Sequence, residues 1–569
     1  MTPILAPLLA LLAGGAHALS FAPFNLPALQ LAALATLIAL AQWQPSWQRA
    51  ALIGFAFGLG WFSIGVSWVY ISMHVHGDMP SWIAALATFA LAALLAVFPA
   101  LAAGAAHRAT RRSALRLLLA WPGAWCLSEW LRGTILTGPS WIAALATFAL
   151  AALLAVFPAL AAGAAHRATR RSALRLLLAW PGAWCLSEWL RGTILTGLPW
   201  IASGYAHTDG TLAGYAPVVG VYGLCLIAAV IAGAAATVLQ RRSDASLATR
   251  IAALGVALLL VAGGQLLRGV EWTHPVGQPL HVKLIQGNIP QDLKFGEGGT
   301  ELAIQRYFAL MPDPPALHAD LVVLPESAFP LPLGDLPADA REALLDFPSQ
   351  RHAALIFGVF LEEPRYQYFN SALGLQDHDA PQRYSKRHLV PFGEFIPFGF
   401  RWFVDLMNIP IGDQQRGPSY QPPMQLAGQR IAVNICFEDL FGDEIIAAWR
   451  DPAREPTMLL NLSNLAWFDD SIALPQHLQI ARMRALETGL PLLRATNTGA
   501  TAIIDPHGVV VAQLPFNLIA TLRGEISGFK GHTPYVKHGD IPALGLALVL
   551  LAVAAAFRAK GDADRAPKT

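Results

Sequence analysis

RIAVNICFED, residues 430–439, is an apolar run that ends on Cys436 and passes directly into Phe437, Glu438 and Asp439. A run of this length with turn-forming or polar residues after it reads as a buried strand. Working outward, comparable runs recur at HVKLIQGN (281–288), ADLVVLPES (319–327), AALIFGVF (353–360), TMLLNLSN (457–464) and TAIIDP (501–506). Helical stretches such as 301–311 and 473–488 lie between several of them. Strands alternating with helices predict an α/β fold for residues 269–540, and about 270 residues is ample for one buried core.

The flanking sequence has a different character. The chain is 55% hydrophobic and 13% charged, with mean hydropathy +0.46, whereas soluble domains carry about a quarter charged residues. Apolar runs near the roughly 20 residues that a membrane-crossing helix needs occur at 3–20, 26–43, 51–71, 82–105, 114–130, 141–164, 173–189, 216–238, 251–268 and 541–558. The expectation is therefore a polytopic α-helical membrane domain over 1–268, an extracytoplasmic domain over 269–540, a C-terminal transmembrane helix over 541–558 and a cytoplasmic tail over 559–569. The first run has an Ala16–Ala18 site resembling that of a signal peptide, but no basic residues precede it and further spans follow, so it reads as a retained span.

Basic residues set the orientation. With the N-terminus inside, the predicted inner loops hold Arg49, then Arg108, Arg111, Arg112 and Arg116, then Arg167, Arg170, Arg171 and Arg175, then Arg241, Arg242 and Arg250. The tail adds Arg558, Lys560, Arg565 and Lys568, while the short outer loops hold little beyond Arg132 and Arg191. This alternation puts 269–540 on the outer side, the periplasm of a diderm bacterium.

Residues 80–138 and 139–197 are identical over 59 positions. Solenoid repeats diverge and recur at least three times, so two identical copies read as a recent duplication or an assembly error. Each copy holds about two spans, so orientation downstream is unchanged either way. Two of the four cysteines, Cys126 and Cys185, are copies of one position. With Cys225 they lie in predicted spans and read as packing residues, not as a disulfide framework.

Three strand ends can carry chemistry: LVVLPES with Glu326, RYSKRHLVPFGEFIPF (383–398) with Lys386 and Glu394, and ICFED with Cys436. A thiol must lose its proton to attack a carbonyl. A carboxylate in hydrogen-bond reach can take it, and an ammonium can stabilise the oxyanion that forms. Taken singly, each residue has a plainer reading: a cysteine ending an apolar strand is more often buried for packing, a glutamate after a strand is more often solvated, and a lysine in a basic loop is more often exposed. His74 and His76 form a metal pair only in outline, with no third ligand near them in the sequence.

PES, SK-x-HLVPFGE and ICFE, in that order and spacing, resemble the nitrilase superfamily. With flanking spans the chain is similar to the apolipoprotein N-acyltransferase family over nearly its full length. The further matching stretches are GNIPQDLKF (287–295), RGPSYQPP (416–423), NLSNLAWF (461–468), QHLQIARMRALETGLPLLRATNTGATAIIDPHG (476–508), TPYVKHGD (533–540), WVYIS (68–72) and EWLRGTILTGLPW (188–200). The resemblance implies a nitrilase-like αββα sandwich and a catalytic triad of Glu326 as general base, Lys386 as oxyanion stabiliser and Cys436 as the acylated nucleophile. It gives Glu394 and Glu438 supporting roles, and places Trp467 in a loop near the site. Phe295 and Phe437 stand where the family often has Trp and Tyr, and Asp469 where it usually has Gly. The implied partners are a membrane phospholipid as acyl donor and an apolipoprotein as acceptor. No nucleic acid, metal or cofactor is expected, and the enzyme would act as a monomer in the bacterial inner membrane. Two rivals stay open at this point: a membrane-anchored amidase that passes the acyl group to water, and a transporter or scaffold whose outer domain only binds ligand. The scarcity of charged residues within the spans speaks against a translocation path.

Overall fold

A computed structural model describes residues 5–76, 79–108, 175–193, 197–239, 245–314, 317–363, 367–377, 379–391, 393–395 and 414–563. The chain forms two compact units. One comprises Met1–Tyr70, Ser81–Gly269 and Asp540–Thr569, the other Ile71–Pro80 and Val270–Gly539.

The first unit is helical. Its main helices are α1 (Leu5–Ala18), α2 (Pro27–Gln42), α3 (Trp47–Gly65), α4 (Ser81–Arg108), α5 (Trp180–Thr193), α6 (Ala216–Leu239), α7 (Leu247–Leu267) and the C-terminal helix Ile541–Ala563. Local signals set several starts. Ser46 Oγ accepts from the Arg49 amide and Ser246 Oγ from the Thr249 amide, satisfying donors that a helix start leaves free. Helices α1 and α3 cross so closely that a Cβ on Gly14 would lie 1.8 Å from the Phe57 carbonyl oxygen, a backbone approach only a small residue permits. Among the described residues, Thr211–Leu239 and Leu247–Leu267 are long and apolar enough to cross a membrane, while Leu5–Ala18, Pro27–Ala41, Ser81–Ala93 and Ile541–Ala554 are shorter apolar helices. The expected spans at 114–130 and 141–164, most of both repeat copies, and Cys126 lie outside the described residues. Cys185 and Cys225 are buried, Cys185 Sγ donating to the Tyr222 carbonyl at 3.4 Å and Cys225 Sγ accepting from the Gly204 amide at 3.1 Å.

The second unit is built on two six-stranded sheets. Its strands are β1 (Thr273–Gln286), β2 (Leu321–Val323), β3 (Ala354–Glu363), β4 (Gln367–Leu375), β5 (Gln382–Ser385), β6 (Met424–Leu426), β7 (Gln429–Ile435), β8 (Met458–Ser463), β9 (Leu492–Thr496), β10 (Ala502–Ile504), β11 (Val510–Gln513) and β12 (Ala520–Gly531). They are ordered β12-β1-β2-β3-β4-β5 and β11-β10-β9-β8-β7-β6. The centre of each sheet is parallel, β1-β2-β3 in one and β7-β8-β9 in the other, with antiparallel strands outside.

The period of two along each strand sorts its side chains into layers. Val282, Leu284, Val323 and Ile356 of one sheet meet Ile431, Val433, Ile435, Leu460 and Leu462 of the other in one core between the sheets. The opposite faces carry helices. Ile285, Val322, Leu355 and Phe357 pack on Ala303 and Tyr307 of α8 (Gly299–Leu310). Ala432, Leu459 and Leu492 pack on Leu478, Ala481 and Ala485 of α9 (Ala473–Thr488), which Gly489 ends at φ 67°. The result is four layers, helix–sheet–sheet–helix, with each buried leucine contributing roughly 1.5–3 kcal/mol of transfer free energy.

Candidate active site

Glu326 follows β2, Lys386 follows β5 and Cys436 follows β7, so both sheets deliver residues to one region. Two of these strand ends break sharply. Ser327, next to Glu326, has φ 46°, and Cys436, which opens the short 3₁₀ segment Cys436–Leu440, has φ 53°. A side-chain-bearing residue with positive φ is held against its preference by the structure around it. Here the bend turns the thiol out of the strand. At Glu326 the backbone is pressed against β3: a Cβ on Gly358 would stand 2.5 Å from the Pro325 oxygen and 2.6 Å from the Glu326 Cα.

The carboxylates and the lysine meet directly. Lys386 Nζ donates to Glu394 Oε1 at 2.7 Å and to Glu326 Oε1 at 3.2 Å. Asn370 Nδ2, from β4, donates to Glu326 Oε1 at 2.8 Å and Glu394 Oε1 at 3.2 Å. The Asn464 amide, at the end of β8, donates to Glu326 Oε2 at 2.8 Å, and the Val390 amide to Glu394 Oε2 at 2.8 Å. Lys386 is 1% and Glu326 5% exposed. Burial alone would lower the lysine's pKa, but Glu326 and then Glu394 hold it above its ordinary value, so it stays an ammonium.

Cys436 is partly exposed and lies within range of these charges. The dry surroundings push its thiol up, Glu326 pushes further, and Lys386 and Arg494 pull it back. A thiol held up in this way stays protonated until a base takes the proton, and the Glu326 and Glu394 carboxylates both act on it. Beneath it, Asn434, Asn461 and Arg494 are register partners across β7, β8 and β9. Asn461 Nδ2 donates to the Cys436 carbonyl at 3.3 Å and to Asn434 Oδ1 at 2.6 Å. Arg494 donates to Asn461 Oδ1 at 2.9 Å and to Asp439 Oδ2 at 3.0 Å, and also meets His477 Nδ1.

Glu438 works from behind. Its Oε1 accepts from the Arg387 and His388 amides at 2.7 and 3.1 Å, and its Oε2 from the Ile435 amide and Tyr384 hydroxyl at 2.7 and 2.9 Å. One carboxylate thus ties the residues after Lys386 to the residue before Cys436. Burial raises its pKa, and the three amides oppose that rise.

The aromatic candidates have other neighbours. Phe437 is buried against Phe441 and His388, at ring separations of 5.3 and 5.7 Å. Phe295 is half exposed, with its ring 5.9 Å from the Lys294 ammonium. Trp467 sits 6.1 Å from His76, whose Nε2 is 3.0 Å from Asp469 Oδ1. Asp469 keeps the backbone a glycine would adopt, at φ 42° and ψ −150°. His74 Nδ1 meets the Met79 carbonyl at 2.8 Å, so the two histidines go to separate protein partners.

Sequence reasoning did not single out Asn370, Asn464, Asn461, Arg494 or Lys294. Arg494 had a signal, since a charge inside the apolar run PLLRAT demands a buried partner. The asparagines had none, because their role depends on which strand ends lie side by side.

The apolipoprotein N-acyltransferase N-terminal domain model matches residues 13–144 and again 139–234, and the carbon-nitrogen hydrolase model matches 270–527. An apolipoprotein N-acyltransferase of Ralstonia nicotianae is 46% identical over 561 residues, covering 98% of this chain and 94% of its own length. That of Bordetella bronchiseptica is 40% identical, with 98% and 97% covered, and that of Chromobacterium violaceum 37% identical, with 98% and 95% covered. Likeness of this extent, through both units, shows that the chain belongs to the apolipoprotein N-acyltransferase family.

Proposed function

We propose that this protein moves an acyl chain from a membrane phospholipid to the α-amino group of the lipid-modified N-terminal cysteine of apolipoproteins, through a thioester on Cys436. Glu326 takes the thiol proton, and the sulfur attacks the phospholipid ester carbon. Lys386 faces the oxyanion with its remaining N–H. The ester C–O bond breaks, and Glu326 returns the proton to the departing lysophospholipid oxygen. In the second half, the amine attacks the thioester carbon and gives a proton to Glu326. The C–S bond then breaks and the proton returns to sulfur, leaving an amide and the free enzyme.

The observation that carries this reading is the Lys386 ammonium clamped between Glu326 and Glu394 at the strand ends beside Cys436. One carboxylate is then free to exchange protons while the other keeps the lysine charged. Glu394 acts by holding Lys386, and Glu438 by fixing the separation of Lys386 and Cys436. Phe295, Phe437 and Trp467 are proposed to shape the walls around them.

The first unit is proposed to be a multi-pass anchor in the bacterial inner membrane, with the second unit on the periplasmic side. Large apolar side chains exposed along α7 and the C-terminal helix, among them Leu258, Leu259, Leu266, Ile541 and Leu548, support a lipid environment. The alternation of basic residues supports the orientation. The protein is proposed to act as a monomer. The deciding experiment is mass spectrometry of the purified protein after incubation with phospholipid vesicles. An acyl adduct on Cys436 that passes to an amine-terminated lipopeptide is expected. An adduct lost only to water would make the protein an amidase-type hydrolase, and no adduct would overturn the thioester.

A further inference from the structure

Three lysines in the second unit are buried almost completely, and their partners differ. Lys283 spends its donors on the Met311 and Pro312 carbonyls and Asp313 Oδ1, at 3.0, 2.9 and 2.8 Å. That is a saturated, structural ammonium. Lys386 is held by two carboxylates. Lys294, which ends the single helical turn Gln291–Lys294, is fully buried, and its ammonium makes one hydrogen bond among the described residues, a long one of 3.3 Å to the main-chain carbonyl of Glu326. The face of Phe295 covers it at 5.9 Å, within reach of a cation–π contact. An ammonium carries three donors, so Lys294 has N–H groups to spare. Glu326, and Cys436 once it ionises, are the anions that act on it. Burial pulls its pKa down and those two groups oppose the fall, leaving it at about 7.

A charge count explains why a second cation belongs here. Glu326 and Glu394 bring two negative charges, and Lys386 offsets only one. Moving the thiol proton to Glu326 leaves the excess in place and transfers it to sulfur, then to the substrate oxygen. An excess negative charge in a dry site is costly.

We propose that Lys294 is a second cation of the active site, whose ammonium, fixed by the Glu326 carbonyl and roofed by Phe295, offsets the negative charge that forms on Cys436 and passes to the acyl oxygen. This inference rests on Cys436 being the nucleophile, and adds to that reading a positioning and charge-balancing residue one position before Phe295.

The test is the pH dependence of Cys436 alkylation by iodoacetamide in the detergent-purified full-length protein, read by peptide mass spectrometry, for wild type, Lys294→Met, Lys294→Gln and Lys294→Arg. Losing the charge is expected to slow alkylation at neutral pH about tenfold or more, equivalent to raising the thiol by one pH unit, and to move the rise in rate to higher pH. Lys294→Arg, which stays charged, is expected to stay within about threefold of wild type. Folding is checked by the thermal transition of each variant, and either neutral variant that folds suffices. If neither does, the test falls to Lys294→Arg above pH 7, where its fixed charge should make it alkylate faster than wild type. Neutral variants that overlay wild type, or an arginine variant as slow as a neutral one, would overturn the proposal. Neither result depends on phospholipid, so failure here is separate from failure to form the acyl adduct.

Discussion

The sheet centred on β2 and β3 contributes Glu326, Asn370 and Lys386 to the site, while the sheet centred on β8 contributes Cys436, Asn461 and Arg494. The first half holds itself together by charge: carboxylate, ammonium and amide meet within 2.7–3.2 Å. The second half carries a neutral thiol, which attracts little. It is aimed by backbone instead, through the φ of 53° at Cys436 and the asparagine–arginine belt under its carbonyl. Two groups couple the halves, the Asn464 amide on Glu326 and Glu438 on the amides after Lys386. A charged group can be placed by its partners, whereas a thiol that stays neutral at rest has to be placed by the fold.

The comparison breaks most completely at the sulfur. Cys436→Ala removes the proposed acyl carrier, and turnover with phospholipid should fall by roughly 10⁴-fold or more. The charged half should keep its fold, so the melting temperature should hardly move. Appreciable lysophospholipid release by this variant would show that sulfur is not the nucleophile.

Gly358→Ala tests whether the charged half also depends on backbone. Its new Cβ must displace the Pro325–Glu326 backbone, and a shift approaching 1 Å costs about 10²-fold in rate. Overpacking should cost about 1–3 kcal/mol of stability, measurable by denaturant unfolding. Unchanged kcat with lower stability would mean that Lys386 and Asn370 recapture Glu326 on their own.

Glu438→Gln sharpens the coupling. A neutral amide cannot accept all four hydrogen bonds, so about 1–3 kcal/mol of stability should be lost. Acylation should slow by about tenfold, with a near-normal KM for phospholipid. Loss of KM alone would place Glu438 in the substrate path rather than between the halves.

The smallest effect is expected at the edge. Asp469→Gly relieves the positive φ but removes the carboxylate partner of His76, in a pair made weak by the half-exposed aspartate. The two effects oppose each other, and the net change should stay within about 1 kcal/mol. A larger loss, read by thermal unfolding, would make the His76–Asp469 contact a principal tie of the Ile71–Pro80 segment.

The strands legible in the sequence were mainly the buried central ones. HVKLIQGN, AALIFGVF, RIAVNICFE and TMLLNLSN are apolar on both faces because a helix layer covers one side and the second sheet the other. Strands β4, β5, β6, β11 and β12 escaped notice because an outer strand mixes polar and apolar residues. PLLRAT escaped because Arg494 and Thr496 look solvated until their partners are known.

Residue order alone was enough for an α/β unit between apolar flanks, for the helices at 301–311 and 473–488 to within two residues, and for the three strand ends with chemistry to offer. Those are matters of periodicity and local composition, which act over a few residues. The packing of the two sheets set the rest: Lys386 clamped by Glu326 and Glu394, Glu438 reaching across to the lysine's loop, Asp469 in a backbone suited to glycine, and Lys294 buried against Phe295 at the Glu326 carbonyl. Each of these joins residues far apart in the chain. Their energies depend on distance and burial, which the order of residues does not contain.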